Sequence, residues 1–208
     1  MPNYVKNIVR INADAETISK MKETLFEDGN PSSFSFDKII PRPKSLDIES
    51  STRVQNALDY LNGDKNALDR YKGKEREEVL KLGEIARDNL EKYGFTDWYE
   101  WSIHNWGTKW DACEPDADLS STEYIGIDFN TAWSTPEPVF TKLAEMFPKA
   151  EIEIDYADED FGSNCGTLIY GDGEEVSWEA KDTRFAVVDV WGYDESEYEE
   201  MLEEYEKI

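Results

Sequence analysis

The sequence predicts an α+β fold: an antiparallel sheet built in the order βαββαβ, carrying a helical insertion and an appended hairpin, strand and C-terminal helix. Three observations lead there. Separated segments alternate apolar and polar residues as strands do, stripes of helical spacing lie between them, and glycines, prolines or capping residues bound each stripe. With 208 residues, 39% of them hydrophobic and 13% aromatic, the chain suffices for a single domain over 1–208 with its own core.

Taken in order, Tyr4 to Ile11 reads as a strand in which Val5, Ile8, Val9 and Ile11 are too crowded for alternation, so a central strand buried on both faces is expected. Asp14 caps a helix whose apolar stripe is Ile18, Met21 and Leu25, ended by Asp28-Gly29-Asn30-Pro31. Phe34, Phe36, Ile39 and Ile40 then form an apolar patch leading into Pro41 and Pro43, an irregular or edge segment. From 44 to 94 the charges balance and the spacing is helical, with Val54, Leu58 and Leu61 in one helix and Val79, Leu82, Ile85, Ala86, Asn89 and Leu90 in another closed by Gly94. This is the expected insertion.

The stretch Asp97 to Ala112 holds four of the seven tryptophans, a density suited to a junction between elements. Thr96 is placed to cap a helical turn there, and Gly107 interrupts it. Lys109 to Cys113 and Tyr124 to Trp133 read as strands, the second with Ile125, Ile127, Phe129, Thr131 and Trp133 on one face. Pro136 opens a helix with Val139, Leu143 and Met146 buried, and Pro148 stops it. Ile152, Ile154 and Tyr156 alternate with Glu151, Glu153 and Asp155 as a half-buried strand. The extension over 164–208 reads as a hairpin about Gly171-Asp172-Gly173, a strand from Arg184 to Trp191, and a docked helix with Tyr198, Met201, Leu202 and Tyr205 on its inner face.

The net charge of −25 is unevenly placed. Residues 1–94 carry 16 Lys/Arg against 17 Asp/Glu, whereas residues 95–208 carry 6 against 30. Such a surface repels phosphate backbones and anionic membranes and favours basic partners. If Ile152, Ile154 and Tyr156 face the helices, then Glu151, Glu153, Asp155 and Asp128 line the other face of the sheet, the reverse of the aromatic and basic surface an RNA-binding sheet needs. No apolar run approaches the roughly 18 residues of a membrane span, and the N-terminus lacks a secretory core, so a cytoplasmic location is expected. Cys113 and Cys165 are expected as unpaired thiols.

Asn7-Ile8-Val9, the segment Phe34-Ser35-Phe36-Asp37-Lys38-Ile39-Ile40-Pro41, Asn105-Trp106-Gly107-Thr108-Lys109-Trp110-Asp111-Ala112, Thr131-Ala132-Trp133-Ser134-Thr135-Pro136 and Tyr156-Ala157-Asp158-Glu159 occur in the order seen in the YubB-type family of phages and conjugative plasmids, which the chain resembles over most of its length. The resemblance implies a ferredoxin-like fold and a mobile-element origin in bacteria, hence a place in the cytoplasm of the bacterial host cell. It implies no catalytic residues.

The residues themselves point to none either. His104 is the single histidine, there is no phosphate-binding glycine loop, and no cofactor motif is present. Asp155, Asp158, Glu159 and Asp160 lack the spacing of a calcium loop, so no metal site is expected. Two surfaces stand out. One is acidic, with Asp128, Glu151, Glu153, Asp155, Asp158 and Asp160 contacting a basic host protein that itself binds nucleic acid. In its sharpest form the chain is a non-enzymatic nucleic-acid mimic that inhibits a host defence or DNA-processing protein and binds neither nucleic acid nor membrane. The other is a cleft where Trp106, Lys109, Trp110, Asp111, Trp133 and Glu159 converge on a small molecule or nucleotide derivative, with or without catalysis.

Overall fold

The computed structural model describes residues 3–205, with side chains as far as Glu203. Two compact units divide the chain: Met1–Ile40 with Trp106–Ile208, and Pro41–Asn105.

The first unit opens with β1 (Tyr4–Asn12) and α1 (Ala15–Leu25). The Asp14 carboxylate accepts from the Thr17 N–H at 2.8 Å, satisfying a helix-start donor, and Ile18, Met21 and Leu25 are the buried stripe. In the second unit, α2 (Thr52–Leu61) packs on α3 (Gly73–Tyr93) through Val54, Leu58 and Ala86 and through Ala57 and Val79, which Leu68 and Tyr71 of the connecting segment join in one cluster. The helices touch closely at Gly83, where an added Cβ would lie 2.5 Å from the Ala57 Cβ. Asn89 Nδ2 donates to the carbonyls of Ser45 at 2.8 Å and Thr96 at 3.1 Å, tying α3 to its flanking loops. Gly94 closes α3 in the left-handed region, φ +81°. The next helix, α4 (Trp98–Trp106), starts where Asp97 accepts from the Tyr99 N–H at 2.9 Å; Asp97 rather than Thr96 is the cap, and the Thr96 hydroxyl donates to it.

Beyond α4 come β2 (Cys113–Asp118), β3 (Tyr124–Ala132), α5 (Glu137–Met146), β4 (Glu151–Asp158), β5 (Cys165–Gly171), β6 (Glu174–Ala180) and α6 (Glu195–Tyr205). The strands form one antiparallel sheet in the order β2-β3-β1-β4-β5-β6. Its first four members have the ferredoxin-like βαββαβ arrangement, and the β5–β6 hairpin extends it beyond β4. Val5, Val9, Ile11, Ile125, Ile127, Phe129, Ile152, Ile154, Leu168 and Tyr170 are buried on the core face, as are Val139, Phe140, Leu143 and Ala144 of α5. Phe34, Phe36, Phe129, Phe140 and Trp106 add an aromatic cluster with centroid spacings of 5.4 to 6.3 Å. A buried polar chain runs through this core. The Thr135 hydroxyl donates to Asn7 Oδ1 at 2.6 Å, and Asn7 Nδ2 donates to Thr131 Oγ1 at 2.9 Å and to the Val5 carbonyl at 3.0 Å.

Several expectations are corrected. β1 is central, but only Val5, Asn7, Val9 and Ile11 are buried; Ile8 lies on the second face of the sheet, half-buried. The strand expected at Lys109 to Cys113 begins instead at Cys113, because the Asp111 carboxylate accepts from the backbone of Phe36 and Ala112, both at 2.7 Å, and from Ser35 Oγ at 2.6 Å, which holds the segment in an irregular path. Trp133 leaves its strand pattern with φ +72° and 43% exposure.

The strand expected from Arg184 to Trp191 is a wide π-type helical segment, Phe185–Val190. Asp182 accepts from the Phe185 N–H at 2.9 Å at its start, and Gly192, φ +81°, follows its end. Its Ala186 and Val190 pack on Ala157 and Cys165, with Ile8 against them, so this segment covers an apolar patch on the second face that another strand beside β6 would leave bare. Asp194 and Glu197 start α6 with reciprocal side-chain-to-backbone bonds of 2.9 and 2.8 Å. This helix buries its inner face less than expected: Tyr198 and Met201 are half-buried and Leu202 is 43% exposed, while Tyr205 lies beyond the described side chains. Residues 1–2 and 206–208 of the expected domain fall outside the described residues.

Candidate functional site

Because directly opposed residues of an antiparallel pair point to the same face, the register assigns the second face of the sheet. One row across it reads Asp116, Asp128, Ile8, Asp155, Thr167, Glu179. The next reads Asp118, Gly126, Arg10, Glu153, Ile169, Ser177. Glu151 follows opposite Asn12. The end of this face that Phe185–Val190 leaves uncovered is therefore lined with carboxylates.

They are held in two ways. Arg10 Nη1 meets Asp155 at 2.5 Å and Glu153 at 3.1 Å, and Thr167 Oγ1 donates to the other Asp155 oxygen at 2.6 Å. Burial opposes charge on Arg10, but the hydrogen bond and attraction to Asp155 prevail and its pKa is raised. Asp116 and Asp128 oppose one another with no ion pair to either among the described residues. Asp118 accepts from Ser120, whose side chain and backbone lower its pKa, with Lys22 adding a smaller effect.

Between these acids lies an open groove of about 450 Å³ bordered by Ile8, Asp116, Asp118, Tyr124, Gly126 and Asp128. The Tyr124 ring lies over Gly126, where a Cβ would come within 2.9 Å of its hydroxyl. Among the described residues no group of three or more His, Cys, Asp or Glu has the geometry to hold a metal ion.

Of the acidic residues singled out in the sequence, Asp128, Glu151, Glu153 and Asp155 share this face. Asp158 does not. It opposes Val5 on the core side, is 7% exposed, and accepts from the Asp160 N–H at 2.8 Å, Asn164 Nδ2 at 3.3 Å and Asn3 Nδ2 at 3.4 Å. Asp160 is exposed in the loop that follows. Sequence reasoning passed over Asp116, Asp118, Arg10, Tyr124 and Glu179. The alternation of Asp116 and Asp118 was the available signal, masked by Pro115 and by starting the strand four residues too early.

The six cleft candidates are divided by the structure. Trp106 is 1% exposed, its Nε1 donates to the Ile40 carbonyl at 3.0 Å, and its ring meets Phe36 edge-on. Asp111 is engaged by Ser35, Phe36 and Ala112. Lys109, Trp110 and Trp133 do come together, with the Lys109 ammonium 4.8 Å from one indole centroid and 5.0 Å from the other. The Trp133 N–H donates to the Asn3 carbonyl at 2.9 Å and Glu159 N–H to the Tyr4 carbonyl at 2.9 Å, so these two residues flank the start of β1 from opposite sides.

The fold has a counterpart among known proteins. Residues 105–206 match the family model described as the ferredoxin-like domain in Api92-like protein. The Api92-like match takes in Asn105 to Ala112 and everything from β2 to α6. Over 87% of this chain and 98% of the other, the fold is similar to the crystal structure of a protein api92 from Yersinia pseudotuberculosis, with a TM-score of 0.50 and 10% identity. At that identity the likeness is one of fold. No curated protein matches the chain. No helix among the described residues is long and apolar enough to cross a membrane.

Proposed function

We propose that this chain is a non-enzymatic binding protein whose second sheet face and appended hairpin engage a basic protein. The observation that carries the proposal is the Asp116–Asp128 pair. Like charges directly opposite on neighbouring strands work against the fold, and here they stand at the rim of a groove with no counter-ion among the described residues. A lysine or arginine from a partner supplies the missing charge. Next to them, Arg10 engages one oxygen of Glu153 and leaves the other to solvent, whereas both oxygens of Asp155 are taken by Arg10 and Thr167.

The finer version follows from the resemblance to phage and plasmid proteins. A protein of a mobile element that presents ordered carboxylates competes with nucleic acid for a host defence or DNA-processing factor, inside the bacterial cell. The test is capture from bacterial lysate on the immobilised protein at low and high salt, followed by competition with duplex DNA. A basic nucleic-acid-binding partner that is lost at high salt and displaced by DNA supports the mimic. A partner retained at high salt, or only acidic partners, sinks it, since contacts of this kind weaken as the screening length falls.

A smaller second reading rests on Lys109 between Trp110 and Trp133. With Trp106 and Asp111 committed to packing and backbone bonds, what remains is an aromatic platform with one cation, suited to stacking a planar anionic ligand such as a nucleotide. Quenching of tryptophan emission by nucleotides, abolished in Trp133→Ala, is the result it requires.

A further inference from the structure

The sheet ends on β6, which pairs with β5 and has no second strand beside it among the described residues. Every residue from Glu174 to Ala180 is exposed. Within it Val176 is 65% and Trp178 56% exposed, and Trp178 is fixed in place by donating from Nε1 to the Tyr156 hydroxyl at 2.9 Å. An extended strand with a free edge and large apolar side chains is a template for pairing with another chain. Proteins guard such edges with charge and bulges, and both are here: Glu174, Glu175 and Glu179, and a register shift opposite Ile169 and Tyr170.

That guard is selective. A second copy of this chain would bring glutamates against glutamates, which disfavours self-pairing, whereas a strand carrying lysines or arginines finds complementary charge at the same positions. The bulge bends only the Glu174 end and leaves Ser177–Ala180 in regular register with Gly166–Ile169. A free edge, a fixed indole and a one-signed charge thus occur on the same seven residues.

We propose that β6 is a strand-addition site for an extended basic segment of the partner protein. The segment's backbone pairs with the outer edge of β6, its cationic side chains meet Glu174 and Glu179 on the second face, where Glu179 already pairs with Lys181 at 2.6 Å, and its alternate apolar side chains pack on Trp178 on the other face. This rests on the acidic-surface reading above and narrows it: the partner's contact is an extended basic segment, and its place is β6.

The probe is a synthetic ten-residue peptide of alternating lysine and valine, compared with the same peptide N-methylated at every second residue. Methylation keeps the charge and removes the donors along one edge. The expected results are binding of the plain peptide that protects the amides of residues 174–180 from hydrogen exchange, binding weaker by about tenfold or more for the methylated peptide because several backbone hydrogen bonds are lost, and a comparable loss in Glu174→Lys/Glu179→Lys, the two glutamates on one face of the strand. Equal, salt-sensitive binding of both peptides overturns strand addition while leaving the acidic surface standing. Binding of neither peptide at low salt overturns both. Protection of 174–180 that rises with protein concentration in the absence of peptide overturns the proposal in favour of a second copy at this edge.

Discussion

Replacing Asp128 by asparagine should make the fold more stable. Asp128 faces Asp116 across the β2–β3 pair, and no cation pairs with either among the described residues. Opposed Cβ atoms in such a pair lie about 4.5–5.5 Å apart. Two unit charges about 5 Å apart repel by roughly 0.8 kcal/mol in water and more where the dielectric falls. Asp128 and Asp116 are both exposed, so the solvent value governs, and Asp128→Asn is expected to gain about 0.5–1 kcal/mol at low salt. Raising salt to about 1 M shortens the screening length to about 3 Å and should erase most of that gain. Urea unfolding at both salt concentrations reads the effect as a change in midpoint with unchanged slope. A midpoint that falls on substitution, or a gain that salt leaves untouched, would show that the pair is not held against repulsion and would remove the main support for a binding face here. A substitution that strengthens the fold while weakening partner binding is the expected mark of residues kept for function.

Other substitutions test the scaffold. Asn7→Ala leaves the buried Thr135 hydroxyl without its acceptor and Thr131 without a donor, and is expected to cost about 2–4 kcal/mol by thermal or urea unfolding; Asn7→Ala combined with Thr135→Val should cost less than the sum. Gly83→Ala adds a methyl 2.5 Å from Ala57 Cβ, so the overpacking outweighs the roughly 1 kcal/mol that alanine ordinarily gains in a helix, and a net loss of about 1–2 kcal/mol is expected. The Asp14 carboxyl is held below its ordinary value first by the Thr17 backbone N–H. Its stabilisation is therefore complete above the unfolded carboxylate pKa of about 3.9 and is lost as pH falls through the lower folded value. The melting temperature of Asp14→Ala should lie below that of the parent at neutral pH and converge with it in acid.

The fold was legible where periodicity and caps agree. Asp14, Gly94 and the alternation of Ile152, Ile154 and Tyr156 each announce the element that forms. Legibility failed where tertiary bonds override local pattern. Lys109 to Cys113 looks extended until Asp111 is seen to take three hydrogen bonds from Ser35, Phe36 and Ala112, residues on both sides of the second unit in sequence. The β-branched run in Phe185–Val190 resembles a strand, and only the apolar patch at Ile8, Ala157 and Cys165 explains why it coils; Asp182 and Gly192 were the overlooked caps. For the acidic face, β4 was readable because its partner residues are plainly apolar. Asp116 and Asp118 were not, since Pro115 interrupts their strand and Glu114 sits at φ +52° beside the register shift. Asp158 does not continue the acidic alternation: it has the parity of Ile152, Ile154 and Tyr156 and so faces the core side, where Asn3, Asp160 and Asn164 give its carboxylate donors.

The most direct test of the carboxylate surface is the affinity of the captured basic partner for the parent protein and for Asp116→Asn/Asp128→Asn, measured by titration calorimetry at about 50 and 500 mM salt. A face that works through its carboxylates should lose affinity by roughly tenfold or more between the two salts, and the double variant should bind more weakly at low salt with a shallower salt dependence. Equal affinity of parent and variant, unchanged by salt, would contradict an acidic binding face on this sheet.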